Sequence, residues 1–365
     1  MTGAVHPDST GAVDLAQRRH DLLLEVKDLT VEYVRPAPDP GVVACRELTF
    51  HLRRGEILGV AGESGSGKST LITALTRLQR MPAVTTNGSI LLHREGSDPL
   101  DLVAQPERVL RRLRWSEIAI VMQSAMDALN PVMRLGAQFA DVLRAHDPTM
   151  GRKAAWERAA ELVALVGISA DRLRAYPHEL SGGMRQRASI ALALACEPSL
   201  IVMDEPTTAV DVVMQRQILS QVLRMRERLD FAVVFVTHDL SLLLELADRI
   251  AIMYAGRIVE EGPAKALYAD PQHPYTRGLR DSFPPLFAPK RQLTGIPGVP
   301  PSLLSPPAGC AFHPRCDRAF APCDTRTPEL VTAGDRQVAC HLHTSDAPPV
   351  AERAEQSAPH EELNR

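Results

Sequence analysis

The chain has 365 residues, 45% of them hydrophobic and 23% charged, with a formal net charge of −3. That length supports a large buried core and more than one domain, and the balance of 41 basic against 44 acidic residues excludes the basic excess on which nucleic-acid binders rely. The first twenty residues hold no apolar signal core, and no run approaches the roughly 18 apolar residues that cross a bilayer. A soluble, cytosolic chain is expected, with any membrane crossing supplied by a partner.

Residues 1–21 are polar and aperiodic and are expected to be disordered. Leu22 to Tyr33 reads as a half-buried strand, and Arg35 to Gly41, with three prolines, as a loop. Leu48 to Leu52 and Glu56 to Ala61 read as two strands joined by a basic turn, followed by a Gly- and Ser-rich loop and a helix from Ser69 to Leu78. Residues 124–187 read as mostly helical; Ala159, Leu162, Val163 and Val166 give Lys153 to Val166 an amphipathic face. Leu200 to Asp204 and Ala232 to Thr237 are short apolar runs of the kind that fill a buried parallel sheet, with Met214 to Leu229 as the crossover helix. Prolines crowd the stretch from Phe283 to Pro307 and mark a linker into a small appended module, and the tail from residue 344 to 365 is expected to be disordered.

The chemistry begins at Gly62-Glu63-Ser64-Gly65-Ser66-Gly67-Lys68-Ser69-Thr70, which fits G-x-x-x-x-G-K-[ST] between a predicted strand and a predicted helix. Glycines let several backbone N–H groups converge on phosphate oxygens. Lys68 adds a cation at the β- and γ-phosphates, the Ser69 hydroxyl is a Mg²⁺ ligand, and the helix N-terminus contributes its dipole. The strand Leu200 to Asp204 ends in two acids: Asp204 suits Mg²⁺, directly or through water, and Glu205 suits the general base that polarises an attacking water. Ser181-Gly182-Gly183 ahead of a helix is a second phosphate cradle. Two cradles and one nucleotide imply a dimer in which each ATP lies between the loop of one subunit and the second cradle of the other.

Leu180 to Arg187, placed just ahead of the Asp204 strand, resembles the signature motif of ATP-binding cassette proteins, with Met184 where that motif usually has Gln. The resemblance covers residues 22–285 and implies an α/β fold: a RecA-like P-loop NTPase core with an antiparallel β subdomain and an α-helical subdomain at about 124–187. It further implies that Gln123 is the Q-loop glutamine sensing Mg²⁺, Asp211 the D-loop acid at the dimer seam, His238 the switch histidine at the γ-phosphate, and Tyr33 the ring stacked on adenine. The run from Gln123 to Gly136, His273-Pro274-Tyr275-Thr276 and Ile296 to Pro301 resemble the dipeptide and oligopeptide importers. That branch implies a second ATPase subunit, two transmembrane permeases and an extracytoplasmic solute-binding protein as partners, no nucleic acid, and a peripheral place on the cytoplasmic face of the inner membrane. A nickel or other small-solute importer shares the same chassis. A non-transport cassette protein is disfavoured because no heptad run interrupts the single cassette.

Residues 286–343 hold the last four cysteines, Cys310, Cys316, Cys323 and Cys340, spaced C-x5-C-x6-C-x16-C. Four thiolates suit a [4Fe–4S] cluster or a tetrahedral Zn²⁺. The lack of tight C-x2–4-C pairs and the resemblance to importer ATPases with a C-terminal iron–sulfur motif favour the cluster, while His341 and His343 keep zinc open.

Overall fold

The computed structural model describes residues 22–36, 39–123, 128–206, 212–282 and 295–344. In chain order its strands are β1 (Leu22–Tyr33), β2 (Val42–Arg53), β3 (Ile57–Ala61), β4 (Ala83–Leu92), β5 (Leu100–Asp101), β6 (Ile118–Val121), β7 (Leu200–Asp204), β8 (Ala232–Val236), β9 (Arg249–Tyr254), β10 (Arg257–Pro263), β11 (Val331–Ala333) and β12 (Arg336–Val338). The helices are α1 (Lys68–Leu75), α2 (Glu107–Leu113), α3 (Leu135–His146), α4 (Arg152–Leu165), α5 (Gly182–Ala193), α6 (Val212–Leu229), α7 (Leu240–Leu246), α8 (Ala264–Ala269) and α9 (Pro274–Ser282).

Strands β2-β1-β4-β5 form an antiparallel sheet, and β11-β12-β10-β9-β3-β8-β7-β6 form a second, larger one. In the larger sheet β6, β7, β8, β3 and β9 run parallel, while β10, β12 and β11 continue it antiparallel. Strands β3, β7 and β8 are buried along their whole lengths, and their side chains alternate between two cores. Ile57, Ala61, Ile201, Met203, Val233 and Phe235 face the core shared with α3, α4, α5 and α6. Leu58, Val60, Leu200, Val202, Val234 and Val236 face the core closed by the antiparallel sheet and α1. An apolar run with no polar alternation is the sequence of a strand covered on both faces. The expected α/β core is therefore built on one mixed sheet, parallel from β6 to β9, between two layers.

The expected elements shift at their ends for local reasons. Strand β2 reaches back to Val42 because it pairs with β1 as far as Tyr33↔Val42. Helix α1 stops at Leu75, and Arg77 turns the chain with a φ of 53°. Strand β4 has no apolar alternation over Thr85 to Ser89 and is held by its register with β1, including Val26↔Ile90 and Tyr33↔Ala83. The region after the proline-rich stretch does not stand apart: β12 pairs antiparallel with β10 through Glu260↔Val338 and Glu261↔Gln337, so the larger sheet gains two strands from it. Among the described residues no helix is long and apolar enough to cross a membrane.

Candidate functional site

The phosphate loop leaves the buried end of β3 and enters α1. Gly67, at the head of α1, has a φ of 103°, and a Cβ there would lie 2.2 Å from the Ala44 carbonyl oxygen. Gly62, at the other end, would bring a Cβ to 2.3 Å from the Met253 carbonyl oxygen. Only glycine fits where the loop presses on its scaffold. Lys68 turns its ammonium into the loop, donating to the carbonyls of Gly62 (2.7 Å) and Glu63 (2.9 Å) and to the Ser66 hydroxyl (3.4 Å). Burial lowers its pKa, while Glu205, Asp204 and Glu63 pull it back up.

Across from the loop, β7 delivers Asp204 and Glu205. Burial raises the Asp204 pKa, the neighbouring Glu205 adds to the rise, and Lys68 opposes it. Glu205 sits in the left-handed region with a φ of 42°, a strained backbone for a non-glycine residue. Its N–H donates to the Val236 carbonyl at 2.9 Å. One carboxylate oxygen accepts from Gln123 Nε2 at 3.0 Å and the other meets His238 Nδ1 at 3.0 Å. Three elements thus converge on one acid: the end of β7, the end of β8 and the segment after β6.

These groups line one cleft of about 380 Å³ with Tyr33, Ser64, Gly65, Gly67, Lys68, Ser69, Thr70, Gln123, Asp204, Glu205 and His238. Tyr33 stands on the wall, its hydroxyl 3.1 Å from that of Thr70. The donor set fits a divalent cation, because the side-chain oxygens of Ser69, Gln123, Asp204 and Glu205 share one cleft. Ser181, Gly182 and Gly183 do not line the cleft. Ser181 caps α5 by accepting from the Met184 N–H at 3.3 Å, and Gly183 packs against Met214, where a Cβ would come within 2.7 Å of the sulfur. Gln186 of α5 donates to the Pro206 carbonyl, which ties the signature helix to the residue following Glu205. Asp211 lies outside the described residues, as do residues 124–127 of the run that begins at Gln123.

Residues absent from the sequence-based site assemble behind the loop. The Glu63 N–H donates to the Tyr275 hydroxyl at 2.8 Å. The Glu63 carboxylate receives both arms of the Arg315 guanidinium, at 2.7 and 3.0 Å. Arg315 is fixed in turn by its Nε to the Pro297 carbonyl (2.7 Å) and by the rings of Tyr254 and Phe312, each 5.9 Å away. Leu303, from the proline-rich stretch, reaches the cleft itself. Tyr275 belongs to a run that resembles the peptide importers and Arg315 to the cysteine-rich segment, but no pattern pairs either with a loop position more than 200 residues away.

The four C-terminal cysteines are free thiols. Burial raises the pKa of Cys310 and lifts Cys316 and Cys340 to about 12, and each of these three feels the charge of at least one other cysteine of the set. Cys310 N–H also donates to the Cys323 carbonyl at 2.8 Å. Even so, among the described residues no three His, Cys, Asp or Glu side chains converge closely enough to hold a metal ion. The arrangement therefore departs from the expected [4Fe–4S] or Zn²⁺ site: the side chains influence one another's charge but are not gathered around a common point among the described residues.

Comparison with known proteins agrees with this geometry. A family described as ABC transporter matches residues 45–208, and one described as the C-terminal region of oligopeptide/dipeptide transporters matches residues 259–323. The chain is 43% identical over 333 residues to the oligopeptide transport ATP-binding protein OppD of Bacillus subtilis (strain 168), covering 90% of this chain and 91% of the relative. It is 37% identical over 329 residues to the dipeptide transport ATP-binding protein DppD of Caldanaerobacter subterraneus, covering 90% and 99%. Among solved structures, the dimeric ATP-binding cassette MJ0796 in a post-hydrolysis state bound to ADP and Pi superposes with a TM-score of 0.58 at 25% identity, over 66% of this chain and 99% of that one.

Proposed function

Since the chain belongs to the ATP-binding cassette transporter family, in the branch of oligopeptide and dipeptide import ATPases, we propose that it hydrolyses ATP to drive peptides through membrane permeases. The observation that carries this reading is the carboxylate of Glu205, held by Gln123 and His238 in the cleft that also contains Lys68. The loop from Gly62 to Thr70 binds the triphosphate through its backbone N–H groups. Lys68, held at the loop by the carbonyls of Gly62 and Glu63, brings its cation to the phosphate oxygens. Glu205 orients and deprotonates the attacking water, and His238, bonded to the same carboxylate, meets the γ-phosphate. Ser69, Asp204 and Gln123 would hold Mg²⁺, whose charge, when bound, neutralises that developing on the transferred phosphoryl group.

Because Ser181, Gly182 and Gly183 lie away from the cleft of their own chain, they serve the ATP of a second cassette subunit. Residues 22–285 act as the nucleotide-binding domain and 286–343 as a C-terminal module, at the cytoplasmic face of the membrane, with two permeases and an external solute-binding protein completing the importer. A [4Fe–4S] cluster on Cys310, Cys316, Cys323 and Cys340 is supported by their spacing and their mutual electrostatic influence. The side-chain arrangement opposes it, and no step of the cycle runs through it. Iron content and visible absorption of anaerobically purified protein decide that point.

The function is tested with Glu205→Gln in the assembled transporter. Loss of a general base costs on the order of 10²–10⁴ in turnover, so hydrolysis and peptide uptake should both disappear while ATP is retained and the closed dimer accumulates. Normal turnover by that variant would remove Glu205 from the chemistry. Uptake of no peptide by the active wild type would remove the peptide.

A further inference from the structure

Glu63 is an odd residue to find in a loop that receives a triphosphate. Its carboxylate adds negative charge beside the phosphates, and two of its three polar groups face away from the cleft toward other elements. Its N–H is taken by Tyr275 of α9 and its carboxylate by Arg315, 252 residues later. The third group, the Glu63 carbonyl, points inward and accepts both the Lys68 ammonium at 2.9 Å and the Ser66 N–H at 3.2 Å. One residue therefore joins the C-terminal region to the cation that meets the phosphates.

The joint is stiff. The Arg315 side chain is only 6% exposed and that of Glu63 24%. The guanidinium meets the carboxylate fork to fork, a geometry that lysine cannot reproduce. Arg315 stands in the short 3-10 turn His313–Arg315. Beneath it, the rings of Tyr254, Tyr275 and Phe312 pack with centroids 4.5 to 5.4 Å apart, and the Tyr254 hydroxyl lies 3.3 Å from the guanidinium. Each member of this cluster is held by an ion pair, a hydrogen bond or ring packing.

We propose that Arg315 is a positioning residue for ATP binding, which acts through Glu63 to set the phosphate loop and to neutralise the Glu63 carboxylate beside the incoming triphosphate. The proposal rests on the ATPase reading above and assigns to the region beyond the cassette a direct part in it. Arg315 touches no substrate atom. It fixes the peptide whose carbonyls hold Lys68, and it keeps a bare carboxylate from repelling ATP.

The role divides into two effects that substitutions separate. Removing the guanidinium leaves Glu63 charged and loose, so Arg315→Ala should raise the KM for ATP about tenfold, with kcat changed less than about threefold, because binding is lost equally in ground and transition states. Arg315→Lys keeps the charge and loses the fork, and should fall between. Removing the offending acid as well should help: the double variant Arg315→Ala, Glu63→Ala should bind ATP more tightly than Arg315→Ala alone. The cycle is therefore non-additive.

The measurement is steady-state ATP hydrolysis by the transporter assembled with its partners, paired with titration of the full-length chain by a fluorescent ATP analogue. A merely structural role would lower the active fraction, and so the apparent kcat, and leave KM in place. If Arg315→Ala does not fold, Arg315→Lys and the double variant carry the comparison by the same criterion. A KM within about twofold of wild type in the arginine variants, or a double variant no better than Arg315→Ala, overturns the proposal. A wild-type chain that neither binds nor hydrolyses ATP would bring down the ATPase reading itself, which is a different failure from unshifted variants of an active enzyme.

Discussion

Two clusters of acids and bases in this protein use the same chemistry for opposite ends. At the cleft, Glu205 is 17% exposed, its partner His238 is 58% exposed, and its backbone is strained at a φ of 42°. Between the two sheets, Arg249 donates to Glu56 at 2.9 Å and also to Glu261, and all three side chains are 15% exposed or less. The first cluster gathers ends of strands and loops, so its members can exchange partners when a nucleotide arrives. The second ties residues of β9 and β10 to the turn before β3, and its charges have nowhere else to go. The histidines divide in the same way: His238 stands in the cleft, whereas His273 is 1% exposed and accepts the Tyr275 N–H at 3.0 Å. At His238 and Glu205 a reachable imidazole meets an acid on a strained backbone, whereas at Arg249 every partner is sealed.

The largest effect that would test this contrast is Arg249→Ala. It strands two buried carboxylates, of which Glu261 already has its pKa raised by burial and restrained by Arg249. Loss of one partner of a buried pair costs about 3–5 kcal/mol, so denaturant unfolding should show a loss of that size with ATP affinity unchanged. A loss below about 1 kcal/mol would place the pair with weak surface bridges.

The next effect is a dependence on pH. Burial, with the nearby charge of His343, lowers the pKa of His273 to about 3 from its ordinary 6.5. The unfolded chain therefore takes up a proton that the folded chain refuses. The contribution of His273 is fully present above about pH 6.5 and is lost as pH falls from there toward 3, by about 2–4 kcal/mol. His273→Gln, which keeps an acceptor for the Tyr275 N–H, should flatten that slope, and an unchanged slope would show that other groups set the acid sensitivity.

The smallest effect runs against the usual direction of mutation. Asn tolerates the left-handed backbone better than Glu does, so Glu205→Asn should abolish hydrolysis yet raise stability by about 0.5–1 kcal/mol. A destabilised variant would show that the bonds to Gln123 and His238 outweigh the strain.

How much of this the sequence discloses depends on where the determining contacts lie. The loop from Gly62 to Thr70 and the strand ending at Asp204 and Glu205 are read directly, because backbone geometry and phosphate chemistry demand those residue types at short spacing. The parallel strands are equally plain, since burial on both faces leaves unbroken apolar runs. Strand β4 escapes because Thr85 to Ser89 is polar and its pairing with β1 is decided elsewhere in the chain. The strain at Glu205 leaves no mark in residue type. Arg315 escapes for a plainer reason: it lies in a cysteine-rich run that draws attention to metals, and its partner occupies one of the unspecified positions of the phosphate-loop pattern.

The two short strands added beyond the cassette have a further effect on the molecule's life in solution. Strand β12 occupies the hydrogen-bonding edge of β10, and β11 closes the ladder with a strand of three residues. From the start of β12, Arg336 reaches across to the Ala266 and Asp270 carbonyls. A chain cut after Ser282 would lose this cover and offer β10, with Ile258, Val259 and the buried acids Glu260 and Glu261, as an open template for another strand. Truncation to the cassette alone should therefore yield a protein that sticks to itself, and the C-terminal region is in this sense a guard against aggregation.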